Sequence, residues 1–246
     1  MKAGALARSD REQRSAARVH AGAMIRVTFA GEELDLHPAG AIFLPGREML
    51  IVADLHLEKS AAFAARGQML PPYETLETLR RLAGLVGELR PRQLVLLGDS
   101  FHSAIETIGE AGPAREAIED LGRRSEIIWI AGNHDPVPPL RLPGHWIENI
   151  RLGELVLRHA PVDDGACEIV GHLHPAARLA TRAGSQRRRC FALAGRRLLM
   201  PAFGTLTGMV DLADPTIRRF VPETEVRVFM LCRQGLIEMP LSACAR

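Results

Sequence analysis

The sequence predicts an α/β protein, a four-layer α/β/β/α sandwich of two mixed sheets with helices outside. Three observations predict it. The first half alternates short apolar runs with helix-patterned stretches, the signature of parallel pairing with right-handed crossovers. After Pro136-Val137-Pro138-Pro139 the helical signal fades into short apolar segments split by turns, the pattern of a second, more antiparallel sheet. A chain of 246 residues has room for one large domain of this kind or two small ones.

In order, residues 25–29 alternate as a half-buried strand, and Gly31-Glu32-Glu33 turns the chain into a strand at 34–36. Residues 41–44 and 49–53 read as a hairpin around Pro45-Gly46-Arg47. Pro71-Pro72 opens a helix whose apolar positions, Leu76, Leu79, Leu82, Leu85, Val86 and Leu89, recur at helical spacing. A strand at 94–97 follows. Residues 113–121 form another helix with Ala114, Ala117, Ile118 and Leu121 on one side, and 127–130 the next strand. Segments 146–150, 155–158, 168–170, 190–193, 197–200 and 226–231 read as the strands of the second sheet. We expect a disordered leader over 1–23, a single domain over 24–240 and a tail over 241–246.

Basic and acidic residues nearly balance, 31 against 29, so nucleic-acid contact has to come from local patches. The arginine clusters 187–189, 196–197 and 218–219 are candidates, although any one of them reads first as a solvated hairpin end. Lysine occurs only at Lys2 and Lys59. Cys167, Cys190, Cys232 and Cys244 are scattered without a C-x-x-C pair, the pattern of reduced thiols in a cytoplasmic protein. No apolar stretch reaches the roughly 20 residues that span a bilayer, and the leader carries charge in place of an apolar signal segment.

Chemistry gathers where apolar runs stop. The run 49–53 ends in Asp54-Leu55-His56; 93–97 ends in Gly98-Asp99-Ser100-Phe101-His102; 127–130 leads to Gly132-Asn133-His134-Asp135; 155–158 delivers His159; 168–170 delivers Gly171-His172-Leu173-His174. Ligands in open α/β sheets collect at such strand ends. Along an extended chain, residues i and i+2 point the same way, so Asp54 and His56 are expected to offer an oxygen and an imidazole nitrogen to one ion. Asp99 read alone is an N-cap, and each histidine read alone is a core residue; together they predict a metal centre. His20, His37 and His145 are expected at the surface.

These residues resemble the calcineurin-like metallophosphoesterase superfamily, whose pattern is D-x-H, G-D, G-N-H-[DE], H and G-H-x-H. The resemblance implies that Asp54, His56 and His174 hold one metal, Asn133, His159 and His172 the other, and Asp99 bridges them. It leaves His134 unliganded, to contact the phosphate and help the leaving group depart, with His102 as a supporting catalytic residue or simply a hydrogen-bonding one. A closer resemblance is to the ligase-associated DNA damage response endonuclease (PdeM) family. It rests on residues 54–59, on 97–103 (L-G-D-S-F-H-S), on 159–175, and on the P-A-F-G-T-L-T-G stretch 201–208. The leader before Met24 is a departure from that family.

The implied function is a two-metal phosphodiesterase, a cytoplasmic DNA endonuclease in ligase-associated repair, working beside an ATP-dependent DNA ligase, a helicase and an exonuclease. Two divalent ions about 3.5–4 Å apart would generate a bridging hydroxide that attacks phosphorus. The mixed O and N ligands suit manganese, iron or zinc, and the resemblance favours manganese. The alternative is a small-molecule phosphodiesterase or phosphatase acting on cyclic nucleotides or nucleotides, because the same ligands serve those substrates. A non-catalytic metal-binding scaffold ranks below both, because such scaffolds lose the histidine that stands here as His134.

Overall fold

The computed structural model describes residues 17–70, 73–102, 111–137, 141–181, 184–221 and 225–244. Residues 1–16, Pro71-Pro72, Ser103 and Pro138-Pro139, on which some expectations fall, lie outside these. The strands of the first half are β1 (Arg18–Ala21), β2 (Ile25–Phe29), β3 (Glu32–His37), β4 (Ala41–Leu44), β5 (Met49–Val52), β6 (Gln93–Leu97), β7 (Glu126–Ile130) and β8 (His145–Ile147). Helices α1 (Lys59–Ala64), α2 (Glu74–Leu89) and α3 (Pro113–Arg124) lie among them. The second half contributes β9 (Asn149–Leu152), β10 (Leu155–Arg158), β11 (Cys167–Val170), β12 (Pro175–Thr181), β13 (Gly184–Ala194), β14 (Arg197–Leu199), β15 (Val210–Asp211), α4 (Pro215–Arg218), β16 (Val226–Cys232) and β17 (Gly235–Pro240).

The first sheet runs β2-β3-β4-β5-β6-β7-β8. It is antiparallel from β2 to β5 and parallel from β5 to β8, so the expected β5–α2–β6–α3–β7 unit is present. The second sheet runs β1-β17-β16-β13-β14-β11-β10-β9. Along that order it is antiparallel except for the parallel trio β14-β11-β10; off it, β12 pairs antiparallel with β13 and parallel with β15. Strands β10 and β11 of that trio, with β5–β7, are the ones that deliver the candidate ligands.

Period-two alternation explains the layering. On β5–β7, Ile51, Val95, Leu97 and Ile130 enter the core between the sheets, where they meet Leu155, Leu157, Ile169, Phe191 and Phe229. Their neighbours Leu50, Val52, Leu94, Leu96 and Trp129 face the other way, onto Leu79, Leu82, Leu85, Ile118 and Leu121 of α2 and α3. Each fully buried side chain of this size contributes about 1.5–3 kcal/mol.

Several details differ from expectation. The segment 146–150 is two strands: Glu148 separates β8, an edge of the first sheet, from β9, an edge of the second. The outermost layer over the second sheet is thin; among the described residues its helix is the four-residue α4, whose Ile217 covers the sheet with Leu212 and Val221. Leu76 of α2 is exposed; Thr75 and Thr78 are buried in its place, because Thr78 Oγ1 meets Thr205 of the second half. Strand β1 pairs with β17, so residues 18–21 of the expected leader belong to a sheet. In the expected tail, Leu241–Ala243 forms a 3-10 turn.

Candidate metal centre

The ends of β5 and β6 continue past the sheet as a zipper. Asp54 N donates to Gly98 O (3.2 Å), His56 N to Asp99 O (2.9 Å), Leu57 N to Ser100 O (2.9 Å), and His102 N back to Leu57 O (2.9 Å). The 201–208 stretch closes the other side of β5: Phe203 N donates to Ala53 O (2.8 Å) and Gly204 N to Asp54 O (3.2 Å). That clasp is held from behind by arginines. Arg81 donates to Phe203 O at 3.0 Å, while Arg189 donates to Ala202 O at 3.0 Å and to Thr207 Oγ1 at 2.7 Å.

The expected reason for the convergence of Asp54 and His56 is overturned. They do not lie on one face of an extended strand; both are left-handed, with φ of 54° and 46°. Asp99 (46°), His172 (62°) and His174 (45°) share that conformation. Non-glycine residues there cost of order 1–3 kcal/mol each, and the zipper hydrogen bonds hold the corners in place. Sharp corners, rather than strand alternation, turn these side chains inward. Glycine is required beside them: a Cβ on Gly132 would lie 2.2 Å from Asp99 N, and one on Gly98 2.4 Å from the His159 ring.

The structure brings every predicted site residue to this rim. Ligand atoms of Asp54, His56 and His174 lie within 4.8 Å of one another, as do those of Asp99, His159 and His172. Asn133 Oδ1 is 3.0 Å from His159 Nε2. Asp99 touches both groups, with Oδ1 at 3.4 Å from His159 Nε2 and Oδ2 at 3.8 Å from His56 Nε2. His56, His102 and His134 form a third cluster. His134 turns Nδ1 to the His102 carbonyl at 3.0 Å, which leaves Nε2 facing Asp99 Oδ2 at 4.0 Å. The His102 and His134 rings stack at 5.2 Å. Asp54 and Asp99 are buried, whereas Asn133, His134 and His172 are exposed, so the centre opens on one side. His20, His37 and His145 lie elsewhere, beside Glu238, Glu88 and Glu126.

The donor set fits divalent cations. His159 Nδ1 lies 3.2 Å from Leu97 O, an acceptor that assigns the proton to Nδ1 and a lone pair to Nε2. That lone pair faces the Asn133 oxygen, another acceptor. His56 Nε2 and His174 Nε2 likewise face each other at 3.4 Å, and His172 Nδ1 and His159 Nε2 at 3.2 Å. Acceptors this close repel unless a proton or a cation joins them. Burial lowers His56 to about 4 and also lowers His172, keeping both rings neutral at pH 7 as ligands must be. Burial opposes the charge of Asp99, yet hydrogen bonding and attraction to His159, with the His134 N–H, hold it down at about 2. His159 is raised despite its burial, through Asp99 and Asp54.

Asp135 is the residue that sequence reasoning left without a role. Its buried carboxylate accepts N–H bonds from Asp99 (3.1 Å), Ser100 (2.7 Å), Phe101 (3.1 Å) and Gly132 (3.0 Å). It ties the loop after β6 to the loop after β7. Burial raises its pKa to about 7 against those donors. The available signal was the acidic position ending G-N-H-D, directly after two candidate functional residues. The arginine clusters divide: Arg189 is enclosed by the clasp, Arg197 pairs with Glu168 and Asp163, and Arg196 donates to Gly165 O. Arg187 and Arg188 face solvent on β13.

No family model matches the chain, and no curated protein matches it. Among solved structures, the Pseudomonas putida nuclease MPE superposes with a TM-score of 0.66 at 27% identity, over 87% of this chain and 100% of that one. Two remote likenesses are YfcE, a phosphoesterase from E. coli, and a predicted phosphoesterase from Streptococcus pneumoniae. The first has a TM-score of 0.34 at 14% identity over 76% of this chain and 90% of that one. The second has a TM-score of 0.29 at 16% identity over 74% and 80%.

Proposed function

We propose that this chain, a metal-dependent phosphoesterase of the calcineurin-like metallophosphoesterase superfamily, is a two-metal phosphodiesterase that cuts DNA. One observation carries the two-metal reading: two sets of donor atoms, Asp54/His56/His174 and Asp99/His159/His172, each gathered within 4.8 Å, with Asp99 reaching from one to the other. Asn133 is assigned to the second set. Likeness to a nuclease along that protein's whole length supports DNA as the substrate. Residues 97–103, 159–175 and 201–208 support a role in ligase-associated repair, with an ATP-dependent ligase, a helicase and an exonuclease as functional partners in the cytoplasm. We assign manganese as the preferred ion.

When bound, two such cations supply the charge and the activated water of phosphoester hydrolysis. The chain's own part is to hold and to donate. Asp54, His56, His172 and His174 are fixed by left-handed corners, so the site costs little reorganisation on loading. His134 is on the open side, anchored through Nδ1; protonated at both nitrogens, it donates from Nε2 to the leaving oxygen. His102 positions that ring by stacking on it.

The test is metal content together with hydrolysis of bis(p-nitrophenyl) phosphate, followed by nicking of supercoiled DNA beside turnover of cyclic nucleotides. Asp99→Ala should lower turnover at least about a hundredfold with manganese added; wild-type turnover in that variant defeats the mechanism. His134→Gln should keep its metal and lose about a hundredfold or more in kcat. Turnover of cyclic nucleotides without nicking would place the substrate among small molecules.

A further inference from the structure

We infer that α1 and the turn that follows it form the substrate wall of the centre, and that Lys59 and Arg66 bind further phosphates of a polynucleotide strand beside the one being hydrolysed. The inference rests on the phosphodiesterase reading above and goes beyond it by naming how a strand is recognised.

The placement begins with the motif itself, because α1 starts three residues after His56. Its start is pinned to α2: Glu58 N donates to Thr75 Oγ1 and Ser60 N to Glu74 Oε1, both at 2.8 Å. Side chains then line up toward the centre. Lys59 Nζ lies 5.8 Å from the Phe63 ring centroid, Phe63 lies 5.6 Å from His102, and His102 stacks on His134.

The basic groups on this wall have no ion-pair partner among the described residues, unlike Arg197, which pairs with Glu168. Lys59 is partly enclosed, and burial lowers its pKa; Arg66 is exposed. The charges of both bear on the His102 ring. Two cations without an ion-pair partner among the described residues, beside a phosphate-hydrolysing centre, attract further phosphate. The centre itself engages the scissile phosphate, so cations outside it have work only if the substrate carries more than one. A strand does; a cyclic mononucleotide does not. The segment joining α1 to α2 also exposes an aromatic ring, Tyr73 at 73%. Stacking on such side chains is how single strands are held without sequence preference.

The experiment compares a fluorescein-labelled single-stranded oligodeoxynucleotide with bis(p-nitrophenyl) phosphate, using the manganese-loaded full chain. Lys59→Met keeps the packing on Phe63, and Arg66→Ala alters a solvated position. Each is expected to raise KM for the oligonucleotide about tenfold with a smaller change in kcat, and to reduce the salt slope of log(kcat/KM) by about one. The model diester, with no second phosphate, should lose less, and Lys59→Arg should recover most of the affinity. Equal losses on both substrates with an unchanged salt slope, or no loss on either, would overturn the inference. If the wild type hydrolyses neither substrate, the phosphodiesterase reading fails; if it hydrolyses the diester but neither binds nor cuts the strand, only the inference fails.

Discussion

His159 joins the two halves of the centre's electrostatics. Its pKa is raised by Asp99 and Asp54 although burial works against it. A raised value means that, without metal, the proton on His159 stabilises the fold. That contribution is complete below the ordinary histidine range near pH 6.5 and is lost as pH climbs through the raised value. A cation has to displace the same proton. Manganese affinity should therefore climb across that window with proton release, measurable by calorimetry in two buffers of different ionisation enthalpy; a pH-independent affinity would contradict it. Asp135 makes a second prediction. Asn at 135 places an NH2 group among four N–H donors, so Asp135→Asn should cost about 2–4 kcal/mol, a fall in Tm of roughly 5–15 °C by thermal melting.

Legibility differed among elements for physical reasons. The β5–α2–β6–α3–β7 unit was plain because its strands are buried on both faces and its helices repeat apolar residues at 3.6 spacing. Hairpin β12–β13 was mostly invisible: five exposed residues open β13, from Gly184 to Arg188, and a strand without a buried face gives no alternation to read. The break at Glu148 was hidden because both flanking strands are short and no glycine or proline marks the junction. The candidate ligand positions were legible as strand ends, yet the left-handed corners at Asp54, His56, Asp99, His172 and His174 were not, since nothing in Asp or His announces φ above zero. Arg189 shows the limit of reading charge from sequence. In sequence it stands with Arg187 and Arg188, as a solvated hairpin end or a candidate phosphate contact, but it is enclosed, and burial lowers its pKa to about 10. Arg189→Met should leave the Ala202 and Thr207 acceptors without their donor, costing about 1–3 kcal/mol; an unchanged melting curve would show the clasp to be idle.

Across the molecule, the thiols are set back from solvent chemistry. Burial raises Cys190 well above its ordinary value and Cys244 to about 12, so both should resist alkylation at pH 8 in the native state and react on denaturation; rapid native labelling would contradict the packing. The crossing at Glu148 has a mechanical consequence. From β2 onward the chain changes sheets only there, so Asp54, His56, Asp99 and Asn133 hang from one sheet, while His159, His172 and His174 hang from the other. On the proposed assignment each cation would draw ligands from both sides, and would act as a rivet through the seam of the sandwich. At a hundred times its Kd, one bound ion adds about 2.7 kcal/mol. Chelation should loosen the seam from the rim inward, with amide exchange accelerating first at residues 54–57, 98–101 and 170–174 and last at the opposite ends of the same strands.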